Sequence, residues 1–240
     1  MQALIFDCDG VLVDTERDGH RVAFNRAFEA LGIDADWSVE LYGELLLIGG
    51  GKERMRHYFD KFGWPEGRAE SKDELIALLH KTKTDFFTDI IASGQLPLRP
   101  GISRIVDEAI AAGVRLGVCT TSAPKAIDGV LDLFGPERKA KFEFVHAGDV
   151  VSKKKPDPEI YELAKQSLGL PVHECIVIED SRNGLLAATG AGLPCLITTS
   201  AYTTDEDFTG AAAVVPELGD APSVRVTLAD LARLASKLAA

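Results

Sequence analysis

The stretch ALIFDCDGVLVDT, residues 3–15, decides the fold. It opens with four apolar residues, which is typical of a buried strand, and three acids follow at once: Asp7, Asp9 and Asp14. Ionised carboxylates beside a buried strand end repel each other and lose hydration, which costs stability unless a cation or a proton compensates. The stretch therefore predicts the first strand of a sheet, with a ligand bound at its carboxyl end.

Length and charge narrow the class of protein. The chain of 240 residues has 26 basic and 37 acidic side chains and a formal net charge of −11. This length suits one large domain, or a core with a smaller inserted domain. The acidic balance argues against nucleic acid or an anionic membrane as a partner, because affinity for polyphosphates rests on clustered Lys and Arg. No apolar run approaches the roughly 20 residues that span a bilayer, so we predict a soluble protein. We also expect it to be a monomer.

The positions of the cysteines indicate the redox state of the compartment in which the protein works. Four cysteines lie in or beside apolar runs and show no C-x-x-C pairing: Cys8, Cys119, Cys175 and Cys195. We interpret them as buried reduced thiols, and a reducing compartment follows. A bacterial cytoplasm and a chloroplast stroma both remain open, the second for a chain whose transit peptide has been removed.

Apolar runs alternate with helical patterns over most of the chain. The runs that predict strands are residues 3–6, 114–119, 175–180 and 194–198, with weaker candidates at 142–149 and 212–215. Between them, amphipathic stretches such as 101–113 predict helices. This alternation predicts an α/β fold, a doubly wound (Rossmann-like) parallel sheet covered by helices on both faces.

The region from about residue 17 to 95 differs, because it contains four helical patterns and no convincing strand. The Pro-rich segment LPLRPG closes it at 96–101. An all-helical block inserted after the first strand predicts a separate cap domain on two short linkers. We place the core domain at residues 1–15 and 97–240, and the helical cap domain at 16–96.

Polar side chains follow the predicted strands, where ligands bind in doubly wound sheets. In chain order they are Asp7 and Asp9, Thr120-Thr121-Ser122, Lys155 after a loop, and Glu179-Asp180. Any one of them alone has an ordinary explanation as a turn, a helix cap or a solvated residue. Their joint occurrence at strand ends favours a site that combines carboxylates, a hydroxyl and a lysine.

Each of these side chains suits one task in phosphoryl transfer. A carboxylate is ordinarily ionised at neutral pH, so Asp7 can attack phosphorus in line, which gives an aspartyl-phosphate that water later hydrolyses. Asp9 can protonate the leaving oxygen and then deprotonate the attacking water. Lys155 would neutralise growing negative charge, and the Thr120 hydroxyl would bind phosphoryl oxygens. Asp7 and Asp180 are natural ligands for Mg²⁺, which takes one or two carboxylates plus phosphate oxygens.

The motifs resemble those of the haloacid dehalogenase superfamily of phosphatases and mutases. They are DCDGVLVDT, Thr120, KKPDP at 154–158 and VIEDSRNGLLAA at 177–188. The resemblance implies a nucleophilic Asp7 and a Mg²⁺ cofactor, with Asp9 binding the metal through its backbone carbonyl. The metal ligands that it implies are Asp7, Asp9, Glu179 and Asp180. It also implies that the helical insert is the family's first type of cap (C1), which closes over small soluble substrates.

Within the superfamily the chain is most similar to the CbbY branch, through ALIFDCDGVLVDTE, GGGKERMRHYF, GWP, RPG and EDSRNGLLAATGAG. Members of that branch act as xylulose-1,5-bisphosphate phosphatases, which remove a misfire product that inhibits Rubisco of the Calvin cycle. The resemblance therefore implies a Mg²⁺-dependent phosphatase of a small phosphorylated sugar. In one respect the chain differs: between Asp14-Thr15 and the first cap helix it has one residue more than the branch.

A bisphosphate needs a second anion site, and the cap offers candidates. Gly50-Gly51-Lys52 at a helix start provides backbone N–H groups, a positive dipole end and a lysine, with Arg54 close by. The alternative is a plain Gly-rich loop between helices.

Other candidate substrate contacts lie along the chain. His80 and Lys83, at i and i+3, can face one ligand or form a solvated helix face. Glu16 can accept hydrogen bonds from sugar hydroxyls or cap the first cap helix. Beside Thr120, the candidates for substrate binding are Thr121, Ser122 and Lys125.

Three classes of function remain open. The first is hydrolysis of a sugar bisphosphate. The second is a sugar phosphomutase of the β-phosphoglucomutase kind, which uses the same Asp7 and Asp9 but returns the phosphoryl group to the substrate. The third is a non-catalytic binding protein on the same fold, against which the intact acids, hydroxyl and lysine argue. Phosphoglycolate or another sugar phosphate also remains a candidate substrate.

Overall fold

A computed structural model describes residues 1–236 of the chain. The last four residues of the predicted core domain, 237–240, lie outside the described residues. The chain divides into two compact units, Met1–Asp14 with Pro97–Ala240, and Thr15–Leu96. The first is built around a sheet, and the second consists of helices.

Six parallel strands form one sheet in the first unit. They are β1 (Ala3–Phe6), β2 (Arg115–Thr120), β3 (Phe142–Ala147), β4 (Cys175–Glu179), β5 (Cys195–Thr198) and β6 (Ala213–Val215). Their order is β3-β2-β1-β4-β5-β6, so β1 is central and pairs with β2 and β4. The predicted α/β class with a doubly wound parallel sheet is confirmed, and each of the six strands falls on a run that predicted one.

The second unit contains four α-helices and no strand between Thr15 and Leu96. They are α1 (Arg21–Ala30), α2 (Val39–Leu45), α3 (Gly51–Phe62) and α4 (Lys72–Ala92). Buried aromatic rings on α1 and its neighbours form the core of this unit: Phe24, Phe28, Trp37, Tyr42 and Phe59. The longest helix, α4, starts with a capping box between Ser71 and Glu74, which satisfies backbone N–H groups that have no partner within the helix.

A π-helical turn over Glu16–His20 precedes α1. In it the His20 N–H donates to the Thr15 carbonyl at 2.7 Å, a bond from residue i+5 to residue i. A π-helical turn holds one residue more than an α-helical turn. The chain between Thr15 and His20 therefore holds one residue more than an α-helical turn would.

Helices cover the sheet of the first unit on both faces. They are α5 (Ile102–Ala111), α6 (Pro124–Asp132), α7 (Pro136–Lys139), α8 (Glu159–Leu168), α9 (Arg182–Gly190) and α10 (Leu228–Ser236). Because of this cover, β1, β4 and β5 are buried along their whole length. In register, Phe6 pairs with Val118 and with Ile178, so the residues after β1, β2 and β4 lie at one edge of the sheet. None of the helices that the structure describes combines the length and hydropathy of a membrane span.

Candidate active site

Three buried carboxylates meet at the carboxyl ends of β1 and β4. Asp7 follows β1, Glu179 is the last residue of β4, and Asp180 comes next. One oxygen of each lies within 4.8 Å of the others. Asp7, Glu179 and Asp180, three of the four residues assigned from sequence as metal ligands, are therefore brought together.

Lys155 contacts two of these acids from the loop before α8. Its Nζ donates to Asp7 Oδ1 at 2.7 Å, to Glu179 Oε1 at 2.5 Å and to the Cys119 carbonyl at 2.9 Å. An ammonium group has three hydrogens, and each of them has an acceptor here. Lys155 therefore orients Asp7 and Glu179.

The charges in this cluster do not balance. Three carboxylates lie close together, and two of them, those of Asp7 and Glu179, share the ammonium group of Lys155. Burial raises the pKa of Asp7 to about 8, against the lowering effect of Lys155, while Glu179 and Asp9 raise it further. Burial opposes the charge of Lys155 as well, but the carboxylates of Asp7 and Glu179 raise its pKa and keep it protonated. The excess of buried oxygen ligands and negative charge fits a hard divalent cation such as Mg²⁺.

Two glycines allow the backbone to approach the acids closely. Gly10 has φ +77°, and a Cβ on it would lie 2.0 Å from Asp180 Oδ2. Gly184 lies in the first turns of α9, and a Cβ there would lie 2.0 Å from Glu179 Cδ. Both positions require glycine, because a methyl group would collide with one of the clustered carboxylates.

The loop after β2 brings hydroxyl groups to the site. Thr120 is buried at the end of β2, and its Oγ1 accepts a hydrogen bond from the Ser122 N–H at 3.1 Å. The Ser122 hydroxyl donates to Asp9 Oδ2. Ser122, which the sequence suggested as a substrate contact, thus holds Asp9 in the described structure. Thr121 is half-buried beside it, and Lys125 is exposed at the start of α6.

In the helical unit, Arg54 and Glu16 belong to one buried polar group. Tyr42 donates its hydroxyl to Glu16 Oε2, and Arg54 Nη1 donates to the same Tyr42 hydroxyl at 2.8 Å. Arg54 also donates to the carbonyls of Leu45 at 3.1 Å and Ile48 at 3.3 Å. These bonds fix the end of α2, so the contacts of Arg54 favour a supporting role over direct anion binding.

A second group in this unit contains the other cap candidates. Gly50 precedes α3, which begins with Gly51 and Lys52. A Cβ on Gly51 would lie 3.4 Å from His80 Cδ2, so the helix start packs against His80.

Lys83 is buried in this unit, so the alternative of a solvated helix face is wrong for it. Its Nζ lies 2.7 Å from His20 Nδ1 and 4.7 Å and 5.1 Å from the ring centroids of Phe24 and Phe87.

The sequence assigned no role to two residues with notable contacts. His20 is buried, contacts Lys83 and stacks on Phe87 with ring centroids 3.9 Å apart. Tyr161 is buried in α8 and donates its hydroxyl to Glu179. The only signal for Tyr161 in the sequence is a polar group on an otherwise apolar helix face, which packing alone explains equally well.

Known proteins are similar to this chain in sequence and in fold. A family model for haloacid dehalogenase-like hydrolases matches residues 1–192. A CBBY-like protein of Arabidopsis thaliana is 54% identical over 232 residues, which cover 95% of this chain and 72% of that protein. Protein CbbY of Rhodobacter capsulatus is 44% identical over 222 residues, which cover 92% of this chain and 95% of that protein. The crystal structure of a CbbY variant from Rhodobacter sphaeroides in complex with xylulose-(1,5)bisphosphate has a TM-score of 0.87 and 39% identity, and covers 96% of this chain and 99% of that chain.

Proposed function

The chain belongs to the haloacid dehalogenase-like hydrolase family as a phosphatase of the CbbY type, and we propose that it removes a phosphate group from xylulose-1,5-bisphosphate. The observation that carries this proposal is the meeting of Asp7, Glu179, Asp180 and Lys155 at the strand ends. The CbbY variant crystallised with this sugar bisphosphate supports the choice of substrate. The proposed role is the removal of an inhibitor of Rubisco.

The metal site of the proposed enzyme consists of residues that follow β1 and residues at the end of β4. Side chains of Asp7, Glu179 and Asp180, together with the backbone carbonyl of Asp9, would hold Mg²⁺. When bound, the ion offsets the repulsion among these acids and neutralises charge on the phosphoryl oxygens.

The proposed reaction has two steps carried by Asp7 and Asp9. In the first, a carboxylate oxygen of Asp7 bonds to phosphorus, the bond from phosphorus to the sugar oxygen breaks, and Asp9 protonates that oxygen. In the second, water attacks the aspartyl-phosphate and gives its proton to Asp9, which releases inorganic phosphate and restores Asp7. The Ser122 hydroxyl orients Asp9, and Lys155 holds Asp7 in place.

A substrate panel tests the proposal. Xylulose-1,5-bisphosphate, β-glucose-1-phosphate, phosphoglycolate and several sugar monophosphates are supplied in turn with Mg²⁺, and free phosphate and isomerised sugar are both measured. We expect phosphate release to be fastest from the bisphosphate and to be abolished in Asp7→Asn, with the fold kept. Isomerised sugar without phosphate release would favour the mutase instead, and wild-type turnover by Asp7→Asn would exclude Asp7 as the nucleophile.

The second phosphate is proposed to bind at the start of α3, through Lys52 and the N–H groups beside Gly50 and Gly51. A hydrogen bond to a charged group is worth about 1.5–3 kcal/mol, which corresponds to a factor of about 10–100 in affinity. Lys52→Ala should therefore raise KM for the bisphosphate by about tenfold or more and change KM for a monophosphate little. Lys61→Ala, at the exposed far end of the same helix, is the control. An equal effect on both substrates would remove Lys52 from the second phosphate site.

A further inference from the structure

We propose that Tyr161 is a positioning residue for the metal-binding carboxylates, a role that rests on the proposed function. Tyr161 lies on α8 and is 0% exposed. Its hydroxyl donates to Glu179 Oε1 at 2.5 Å, the same oxygen that accepts from Lys155 Nζ at 2.5 Å. Two donors from separate parts of the chain therefore converge on one oxygen of one metal-site acid.

The two oxygens of Glu179 differ in what remains available to a metal. A carboxylate oxygen offers about two lone-pair directions, and both on Oε1 are used by Tyr161 and Lys155. Among the residues that the structure describes, Oε2 accepts one bond, from the Asp180 N–H at 3.3 Å, which leaves one of its lone-pair directions open. The hydroxyl of Tyr161 thus determines that Glu179 presents Oε2 to a cation.

Close packing around Glu179 and Lys155 supports this arrangement. The backbone of Gly184 lies so close that an added Cβ would be 2.0 Å from Glu179 Cδ. The Lys155 ammonium lies 5.0 Å from the centroid of the Tyr161 ring. Since the ring packs against Lys155 and the hydroxyl bonds Glu179, Tyr161→Phe removes the donor and keeps the packing.

Loss of the hydroxyl leaves a lone pair of Oε1 open, so Glu179 no longer has a preferred oxygen for the metal. Loss of a group that orients a metal ligand typically costs about 10–100-fold in metal affinity. We expect Tyr161→Phe to raise the Kd for Mg²⁺ at least about tenfold, measured by isothermal titration calorimetry on the full chain without substrate. Tyr58→Phe, a half-buried tyrosine on α3, serves as the matched control and should leave the Kd within twofold.

Thermal unfolding with 10 mM Mg²⁺ (about a saturating concentration) and with EDTA provides a second readout. If Tyr161 positions the ligands, the Tm difference between wild type and Tyr161→Phe is larger with Mg²⁺ than with EDTA. Equal Tm differences and an unchanged Kd would overturn the inference and leave Tyr161 a packing residue, while the proposed function would stand. A wild-type protein that neither binds Mg²⁺ nor releases phosphate from the substrate panel would overturn both.

Discussion

Asp7 and Asp9 lie two residues apart but occupy different environments. Asp7 is buried and bonded to Lys155, whereas Asp9 is half-buried and accepts from the Ser122 hydroxyl. Two acids with different surroundings can take different roles, one bonding to phosphorus and the other transferring protons. The sequence predicts the pair because both acids follow a buried strand. The contact between Asp9 and Ser122 joins residues 113 positions apart in the sequence, so it depends on the fold.

Asp9→Asn tests the proton-transfer role. An amide keeps the size of the side chain and its contact with Ser122 but cannot exchange a proton at neutral pH. We expect kcat to fall by a factor on the order of 10² to 10⁴, measured as phosphate release with Mg²⁺ at saturating substrate. Asp205→Asn, at an exposed position in the same unit, is the control and should keep wild-type kcat. Turnover of Asp9→Asn within twofold of wild type would contradict the role.

Gly184→Ala tests the close approach of α9 to Glu179. Alanine is favoured over glycine in a helix interior by about 1 kcal/mol, so intrinsic propensity predicts a more stable protein. The new methyl group would, however, lie 2.0 Å from Glu179 Cδ, and the carboxylate would have to move. We expect at least a tenfold loss of kcat/KM, about 1.4 kcal/mol of transition-state stabilisation.

Gly190→Ala is the matched control on the same helix, because an added Cβ there would meet Pro158 Cβ only at 3.4 Å. This variant should keep wild-type kcat/KM. If both variants were equally active, the packing of Gly184 against Glu179 would have no bearing on activity.

At the scale of elements, a single arginine joins the loop after β1 to the ends of β5 and β6. The Arg99 guanidinium donates to the carbonyl of Gly10, to those of Thr198 at 3.3 Å and Thr199 at 2.7 Å, and to that of Pro216 at 2.6 Å. These four carbonyls belong to three segments that are far apart in the sequence. The arginine can bond all four because its planar fork has five donors.

Arg99→Lys should weaken this set of hydrogen bonds. One ammonium group cannot reach four carbonyls in three segments, and partly buried acceptors left without donors cost at most about 1–3 kcal/mol. We expect the free energy of unfolding, measured by urea denaturation with circular dichroism, to fall by about that amount. Arg233→Lys, at an exposed position on α10, should change it by less than about 0.5 kcal/mol. Equal stabilities of the two variants would show that the hydrogen bonds of Arg99 contribute nothing to the free energy of unfolding.

Elements with a strong apolar pattern were predictable from the sequence, and elements defined by packing were not. β1, β4 and β5 are buried throughout and appear as continuous apolar runs. The four residues of α7, none of them buried, give no periodic stripe, and no helix was predicted there. In the site, the motif residues were predictable, but the bond from Tyr161 to Glu179 joins a helix interior to a strand end and has no local signature.

At the scale of the whole molecule, the interior of the sheet unit encloses all four cysteines. Cys8, Cys119, Cys175 and Cys195 are buried and form no disulfide. Burial raises the pKa of Cys119 and Cys195, and raises that of Cys175 to about 11. Only the thiolate reacts with electrophiles, so burial protects all four side chains while the protein is folded, and protonation further protects Cys119, Cys175 and Cys195.

The folded protein should therefore show no rapidly reacting thiol. At pH 8 we expect Ellman's reagent to modify native thiols at least about 100-fold more slowly than those of protein unfolded in guanidinium chloride, because each must wait for an opening of the structure. The unfolded protein should release four equivalents of chromophore. A Thr204→Cys variant at an exposed position supplies one fast thiol as a positive control. A fast equivalent from the unmodified native chain would mean that one of the four thiols is accessible, and would contradict the packing of this interior.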